Sequence, residues 1–164
     1  MALSEQFDVV HQGETPLRYD RGGRIQRFGV VNPDAALPDE PKRAFGTESH
    51  IRETDYWNAK HIISRGSSGK PLKKPRTFTN PSAAAPGTVG FADVTPTGEN
   101  DVYINYVTTR PDQRGQGHAR RLVEHVADQF SGVLHFGKVM NPAIWKMKED
   151  LETRGRRTLG HRDF

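Results

Sequence analysis

The stretch from Val102 to Phe130 constrains this chain more than any other. Val102-Tyr103-Ile104-Asn105-Tyr106-Val107-Thr108-Thr109 is rich in β-branched and aromatic residues and predicts a strand. Gln113-Arg114-Gly115-Gln116-Gly117 follows. After it, Ala119, Leu122, Val123, Val126, Ala127 and Phe130 recur at the spacing of one apolar helical face, and Ser131-Gly132 ends the pattern. A strand that enters a helix through a glycine turn leaves several backbone N–H groups unpaired, and they converge at the positive end of the helix dipole. Such a turn is a cradle for an anion, a pyrophosphate above all. Gly115 and Gly117 let the backbone approach a ligand with no Cβ in the way, Arg114 adds a fixed charge, and Arg120 and Arg121 lie on the first helical turns. The junction is not a nucleotide P-loop, because Gly-Lys-Ser/Thr is missing. It is not the dinucleotide fingerprint either, since Arg120 stands where a third glycine is wanted. A glycine turn that merely permits tight packing is the plain alternative.

The flanking elements can be read from the same signals. Val89 to Thr95 predicts a strand that forms a hairpin with Val102–Thr109 across the turn Pro96-Thr97-Gly98-Glu99-Asn100. Val133 to Val139 reads as a short apolar strand. Pro142 opens a second helix, with Ile144, Met147 and Leu151 on its apolar face and Gly155 at its end. Thr158 to Phe164 is a last strand. Toward the N-terminus, Phe7–His11 and Arg24–Val31 predict strands, and residues 32–46, with Pro33, Pro38 and Pro41, predict a loop. Thr47 to Ser64 carries a partial helical stripe through Ile51, Trp57, Ile62 and Ile63, capped by Thr47 or Ser49. Residues 65–88 are Gly-, Pro-, Ser- and Lys-rich and predict a long exposed connection, with Arg76–Thr79 as a strand inside it. The order of elements predicts mixed α/β architecture.

Composition narrows the function classes. The chain has 164 residues, enough for one domain. Leu, Ile, Val and Phe make up about a fifth of it, just above the rough floor for a folded core. Having no cysteine, it has no disulfide scaffold, thiolate metal site or cysteine nucleophile. No apolar run approaches the roughly 18 residues a membrane span needs, and Met1–Asp8 lacks the basic and apolar regions of a secretory signal. These features predict a cytoplasmic protein that does not engage membranes. Asp8, His11, Asp20, His50, Asp55 and His61 have no ligand spacing, so no metal site is predicted. The net charge is +4, and residues 56–92 hold Lys60, Arg65, Lys70, Lys73, Lys74 and Arg76 with no carboxylate, an excess that attracts phosphate-bearing partners.

Residues 107–123 together resemble motif A of the GCN5-related N-acetyltransferase (GNAT) superfamily. The signature Arg/Gln-x-x-Gly-x-Gly/Ala stands as Arg114-Gly115-Gln116-Gly117-His118-Ala119, preceded by Val107-Thr108-Thr109-Arg110-Pro111-Asp112. Asn141-Pro142-Ala143-Ile144-Trp145 is similar to the family's second signature, an Asn after the next strand. The resemblance covers about residues 88–160 and is absent before residue 85. It implies a single GNAT-like domain over 1–164, built on a mostly antiparallel, splayed central sheet flanked by helices. Residues 1–88 would be a divergent half with a basic loop at 65–88, and 89–164 the acyl-CoA-binding half. It also implies acetyl-CoA as co-substrate, with its pyrophosphate on the amides of Arg114, Gly115, Gln116, Gly117, His118 and Ala119. Val107, Thr108 and Thr109 would pair with the pantetheine and polarise the thioester, Asn141 would touch the pantetheine arm, and an unidentified amine would attack directly.

Two departures stand out. Many members place a Tyr about seven residues after that Asn as general acid, and here the position is Lys148. Only one strand follows the last helix where members usually have two, so a second copy of the chain and the unusual N-terminal half are the candidates to complete the sheet. Candidates for the proton-transfer groups, by position, are Tyr106, Asp101 and His135, then Asp93 and Tyr103. Their plain readings are a solvated turn residue for Asp101, a satisfied strand histidine for His135 and packing for the tyrosines. Two other functions stay open. A relative that modifies nucleic acid would use the basic stretch, Arg154, Arg156, Arg157 and Arg162, and the aromatics Tyr56, Trp57 and Trp145. The other is a catalytically silent acyl-CoA-binding or interaction domain.

Overall fold

The computed structural model describes residues 7–15, 24–36, 42–45, 57, 61–65, 73–74, 77–79 and 83–164. Its elements run β1 (Val9–Glu14), β2 (Gln26–Val31), β3 (Lys42–Phe45), β4 (His61–Arg65), β5 (Thr77–Thr79), β6 (Thr88–Pro96), β7 (Val102–Thr109), α1 (His118–Gln129), β8 (Leu134–Val139), α2 (Pro142–Thr153) and β9 (Thr158–Arg162). The chain divides into two compact units, residues 1–31 with 89–164, and residues 32–88.

The first unit is a six-stranded sheet in the order β1-β2-β6-β7-β8-β9, with helices α1 and α2 beside it. β1 with β2 and β6 with β7 are antiparallel, whereas β7 with β8 and β8 with β9 are parallel. Its core consists of Phe28, Val30, Val89, Phe91, Ala92, Val94, Val102 and Leu134 from the strands and Leu122, Val123, Val126, Ala127 and Leu151 from the helices. A Cβ added at Gly90 would stand 3.4 Å from Leu122 Cδ1, so α1 lies over the face to which Gly90 points. Successive residues of a strand face opposite ways, which turns Phe91 and Asp93 to the other face. α1 and α2 are joined by Arg120 to Asp150 at 2.9 Å and by Arg154 to Glu124 at 3.4 Å. Arg156 closes the far end of α1, donating to the carbonyls of Ala127 (2.6 Å) and Phe130 (2.5 Å).

The second unit holds the sheet β3-β4-β5, parallel between β3 and β4 and antiparallel between β4 and β5. Here two expectations are corrected. His61–Ser64, read as the end of a helix, belongs to strand β4, and Lys42–Phe45, read as loop, is strand β3. The reason is partly local, because Ile62 and Ile63 are adjacent β-branched residues that suit a strand better than a helix. It is also tertiary, since β3 and β4 satisfy each other's backbone from Lys42↔Ile62 to Phe45↔Arg65. Trp57 is helical and buried, and the other residues from Thr47 to Lys60 lie outside the described ones. The strand expected within 76–79 is present as Thr77–Thr79. Among the described residues, no helix is long and apolar enough to cross a membrane.

Candidate functional site

The site forms where β7 hands over to α1. β7 ends at Thr109, a single 3-10 turn follows at Pro111–Gln113, and the chain passes Arg114, Gly115 and Gln116 before α1 begins. Gly115 (φ +79°) and Gly117 (φ +84°) both adopt the left-handed conformation that favours glycine. Gly117 is the N-cap of α1 and offers no side chain to the helix start. The first intrahelical bond runs from the Arg121 amide to the Gly117 carbonyl at 3.0 Å. The amides of His118, Ala119 and Arg120 precede it and have no acceptor within the helix. The other helix is finished differently, because Asn141 Oδ1 accepts from the Ala143 amide at 2.8 Å. One helix start is closed by its own side chain and the other is open.

Several features fit this opening to a diphosphate. A Cβ at Gly115 would meet nothing within 4 Å, so the space over the turn is clear. Arg114 is exposed, with its Nε held 3.2 Å from the Thr109 carbonyl. Arg121 Nε is buried and has no hydrogen-bond partner among the described residues. Gln116 and Ala119 are half-buried at the rim, and the His118 side chain lies beneath it, 1 % exposed.

The second half of the site is the edge of β7. Its pairing with β8 is confined to Val102↔Leu134 and Tyr103↔His135, and beyond Tyr103 the two parallel strands part. The cause lies two residues further on. Asp93 is opposite Tyr106 while Val94 is opposite Ile104, so Asn105 is an extra residue in β7. A bulge of this kind bends its strand and breaks the ladder. Asn105 Nδ2 donates to Thr95 Oγ1 at 2.7 Å, which pins the bulge to β6. Val107, Thr108 and Thr109 therefore pair with β6 on one side and have no β8 partner on the other, directly before the cradle.

The candidate catalytic residues do not gather at one place. Tyr106 follows the bulge, half-buried, with its ring 6.0 Å from Phe91. Asp101 precedes β7, at the end away from the cradle, about 25 Å off for eight strand residues. Its Oδ1 accepts from the Val133 amide at 2.7 Å and ties the turn to the start of β8. His135 lies at the paired end of β7 and β8, its ring 4.8 Å from that of Tyr103. Its Nδ1 accepts from the Gly137 amide at 3.0 Å, so in the neutral ring the proton sits on Nε2. Asp93 is fully buried, and both its oxygens receive the Arg27 guanidinium at 2.7 and 2.9 Å. The Arg27 guanidinium also stacks over Phe91 at 3.9 Å. Asn141 serves as the cap of α2, and its Nδ2 makes no hydrogen bond among the described residues. Lys148 is buried, with Nζ 2.5 Å from Glu152 and 4.6 Å from the Trp145 ring.

Sequence reasoning counted only the backbone of His118 and left Arg27 unassigned. Position gave a signal for the first, the residue after the N-cap of a cradle helix. None exists for the second, whose partner is 66 residues away.

A family model described as the acetyltransferase (GNAT) family matches residues 42–141, more than half of the chain. The match begins well before residue 85, where the sequence resemblance was absent, and takes in β3 to β5. Comparisons with curated proteins and with solved structures give no significant match.

Proposed function

The chain belongs to the acetyltransferase (GNAT) family, and on that premise we propose that it transfers an acyl group from acetyl-CoA to an amine. Acyl transfer as such follows from the family; the donor, the acceptor class and the residue roles are our reading. Acetyl-CoA would supply an activated acyl thioester. The amides of Gly117, His118, Ala119 and Arg120, with the positive end of α1, would hold its diphosphate. Arg114 would add charge at the rim. The Val107–Thr109 stretch, which β8 does not pair, would bind the pantetheine along that side. A backbone N–H there is a fixed donor for a carbonyl oxygen that gains negative charge as the amine attacks. Asn141 Nδ2 would donate to the same arm.

For the proton on the attacking ammonium, Tyr106 is the group we propose, because it alone of Tyr106, Asp101 and His135 follows the bulge on the open part of β7. Asp101 is engaged at the opposite end and His135 offers a donor. The observation that carries the whole reading is the uncapped start of α1 beside the stretch of β7 that parts from β8 after Tyr103.

Calorimetric titration of acetyl-CoA into the purified protein tests it. Saturable binding is expected, and Gly117→Glu should abolish it, because the added carboxylate would stand where the diphosphate goes. Binding that survives this substitution would mean the cradle is elsewhere. With an amine panel and a thiol-release assay, Tyr106→Phe should lower kcat with little change in KM for acetyl-CoA. An unchanged kcat would remove Tyr106 from the proton path.

A further inference from the structure

His118 is a buried titratable side chain that backbone recognition of a diphosphate does not use. It is 1 % exposed, and neither Nδ1 nor Nε2 has a hydrogen-bond partner among the described residues. A neutral imidazole carries one N–H and one lone pair, and both unmet in an interior is a state native proteins rarely keep without a reason. Its place is specific: the first residue of α1, directly after the Gly117 cap. Its Cβ would stand 3.5 Å from a Cβ on Gly90, so β6 makes room for it with a glycine.

The groups around it are short of negative charge. No carboxylate acts on the ring among the described residues, where burial and Arg121 are what shift it. The charge that acts on the ring is the Arg121 guanidinium, one turn along α1. Arg121 Nε is itself buried, with no hydrogen-bond partner among the described residues. One turn further, toward β2, His125 packs on Phe28 at 5.3 Å and feels Asp128 and Arg121. Burial, and then Arg121, hold the imidazole of His118 below its ordinary value, and the helix N-terminus acts in the same sense. Without a ligand this corner combines two positive sources with a neutral imidazole.

Resting on the acetyl-CoA reading above, we infer that His118 couples cofactor binding to a proton: when the diphosphate settles on α1, His118 takes up one proton, and affinity rises as pH falls. The diphosphate brings two negative charges to the helix start and offsets Arg121. The imidazolium then has an anion to answer, and its second N–H becomes an asset. By linkage, affinity should change up to about tenfold per pH unit between the free and bound values of His118.

The probe is dephospho-CoA, whose diphosphate stays ionised throughout, unlike the 3′-phosphate of CoA with its second pKa of about 6. Titration in buffers of different ionisation enthalpy reads the proton uptake, and the NMR shifts of the His118 ring read its pKa with and without ligand. The expected result is an upward move of the His118 titration and an uptake approaching one proton, lost in His118→Leu and kept in His125→Leu. The ring titration in the unaltered protein stands even if a variant folds poorly. Binding without uptake, or uptake that persists in His118→Leu, would overturn the inference and leave the cofactor reading intact. Failure of dephospho-CoA and acetyl-CoA to bind at any pH would overturn both.

Discussion

Arg27 and Asp93 form a buried ion pair, 6 % and 0 % exposed, on the sheet face opposite α1. A paired charge in the interior survives only with good geometry and full hydrogen bonding, and this pair is bidentate. Removing one member strands the other, which typically costs about 3–5 kcal/mol, whereas replacing both with apolar residues of similar size is often close to neutral. Asp93→Ala and Arg27→Ala should therefore each lower the urea midpoint sharply. Arg27→Met with Asp93→Leu should recover most of the loss. If the double variant lost as much as the two single ones together, the pair would contribute more than mutual compensation. Asp93 stands opposite Tyr106 in the ladder, beside the bulge of β7.

Helix α1 presents two different flanks. One carries Arg120 and Glu124 toward α2, in ion pairs with Asp150 and Arg154. The other carries Arg121 and His125 toward β2, with His118 below the cradle. Burial lowers the pKa of both histidines, so both are neutral in the folded state at neutral pH. The unfolded chain takes up these protons first, so stability is full above the unfolded value of about 6.5 and falls as pH drops below it. The loss levels off once the folded values are passed. Asp112, Asp150 and Glu152 have pKa values lowered, chiefly by hydrogen bonds from Arg110, Arg120 and Lys148 respectively, so their contributions go only at lower pH, below the ordinary carboxylate range. Urea midpoints at about pH 7.5 and 5.5 should thus differ, and His118→Leu should shrink the difference. An equal drop in wild type and variant would place the acid sensitivity elsewhere.

For the molecule as a whole, the cradle and the β7 edge lie in a unit assembled from both ends of the chain, residues 1–31 and 89–164. A ligand that binds only the folded form adds stability by mass action, about 2.7 kcal/mol at a hundredfold excess over Kd. Acetyl-CoA should raise the Tm of the protein in a concentration-dependent way, and Gly117→Glu should show no rise. A Tm indifferent to acetyl-CoA at saturating concentration would contradict binding to the native state.

The sequence by itself determined the half of the chain whose contacts are local. Strand, glycine turn and helix from Val102 to Gln129 announce themselves through periodicity and through Gly115 and Gly117, and β8, α2 and β9 follow by the same rules. Those signals act between residues a few positions apart, so they can be read along the chain. β3 and β4 could not be read, because the hydrogen bonds that make Lys42–Phe45 and His61–Arg65 strands come from each other across a long gap. The same holds for the candidate site. Its anion cradle was legible in Arg114–Ala119, but the Asn105 bulge, the parting of β7 from β8 and the remoteness of Asp101 depend on register, which only the assembled sheet sets. His118 was visible as a letter in the motif, and its ring nitrogens, unmet among the described residues, appeared only once α1 was packed over Gly90 of β6. Local backbone preference writes the elements, and burial against partners distant in sequence decides what each side chain is left to do.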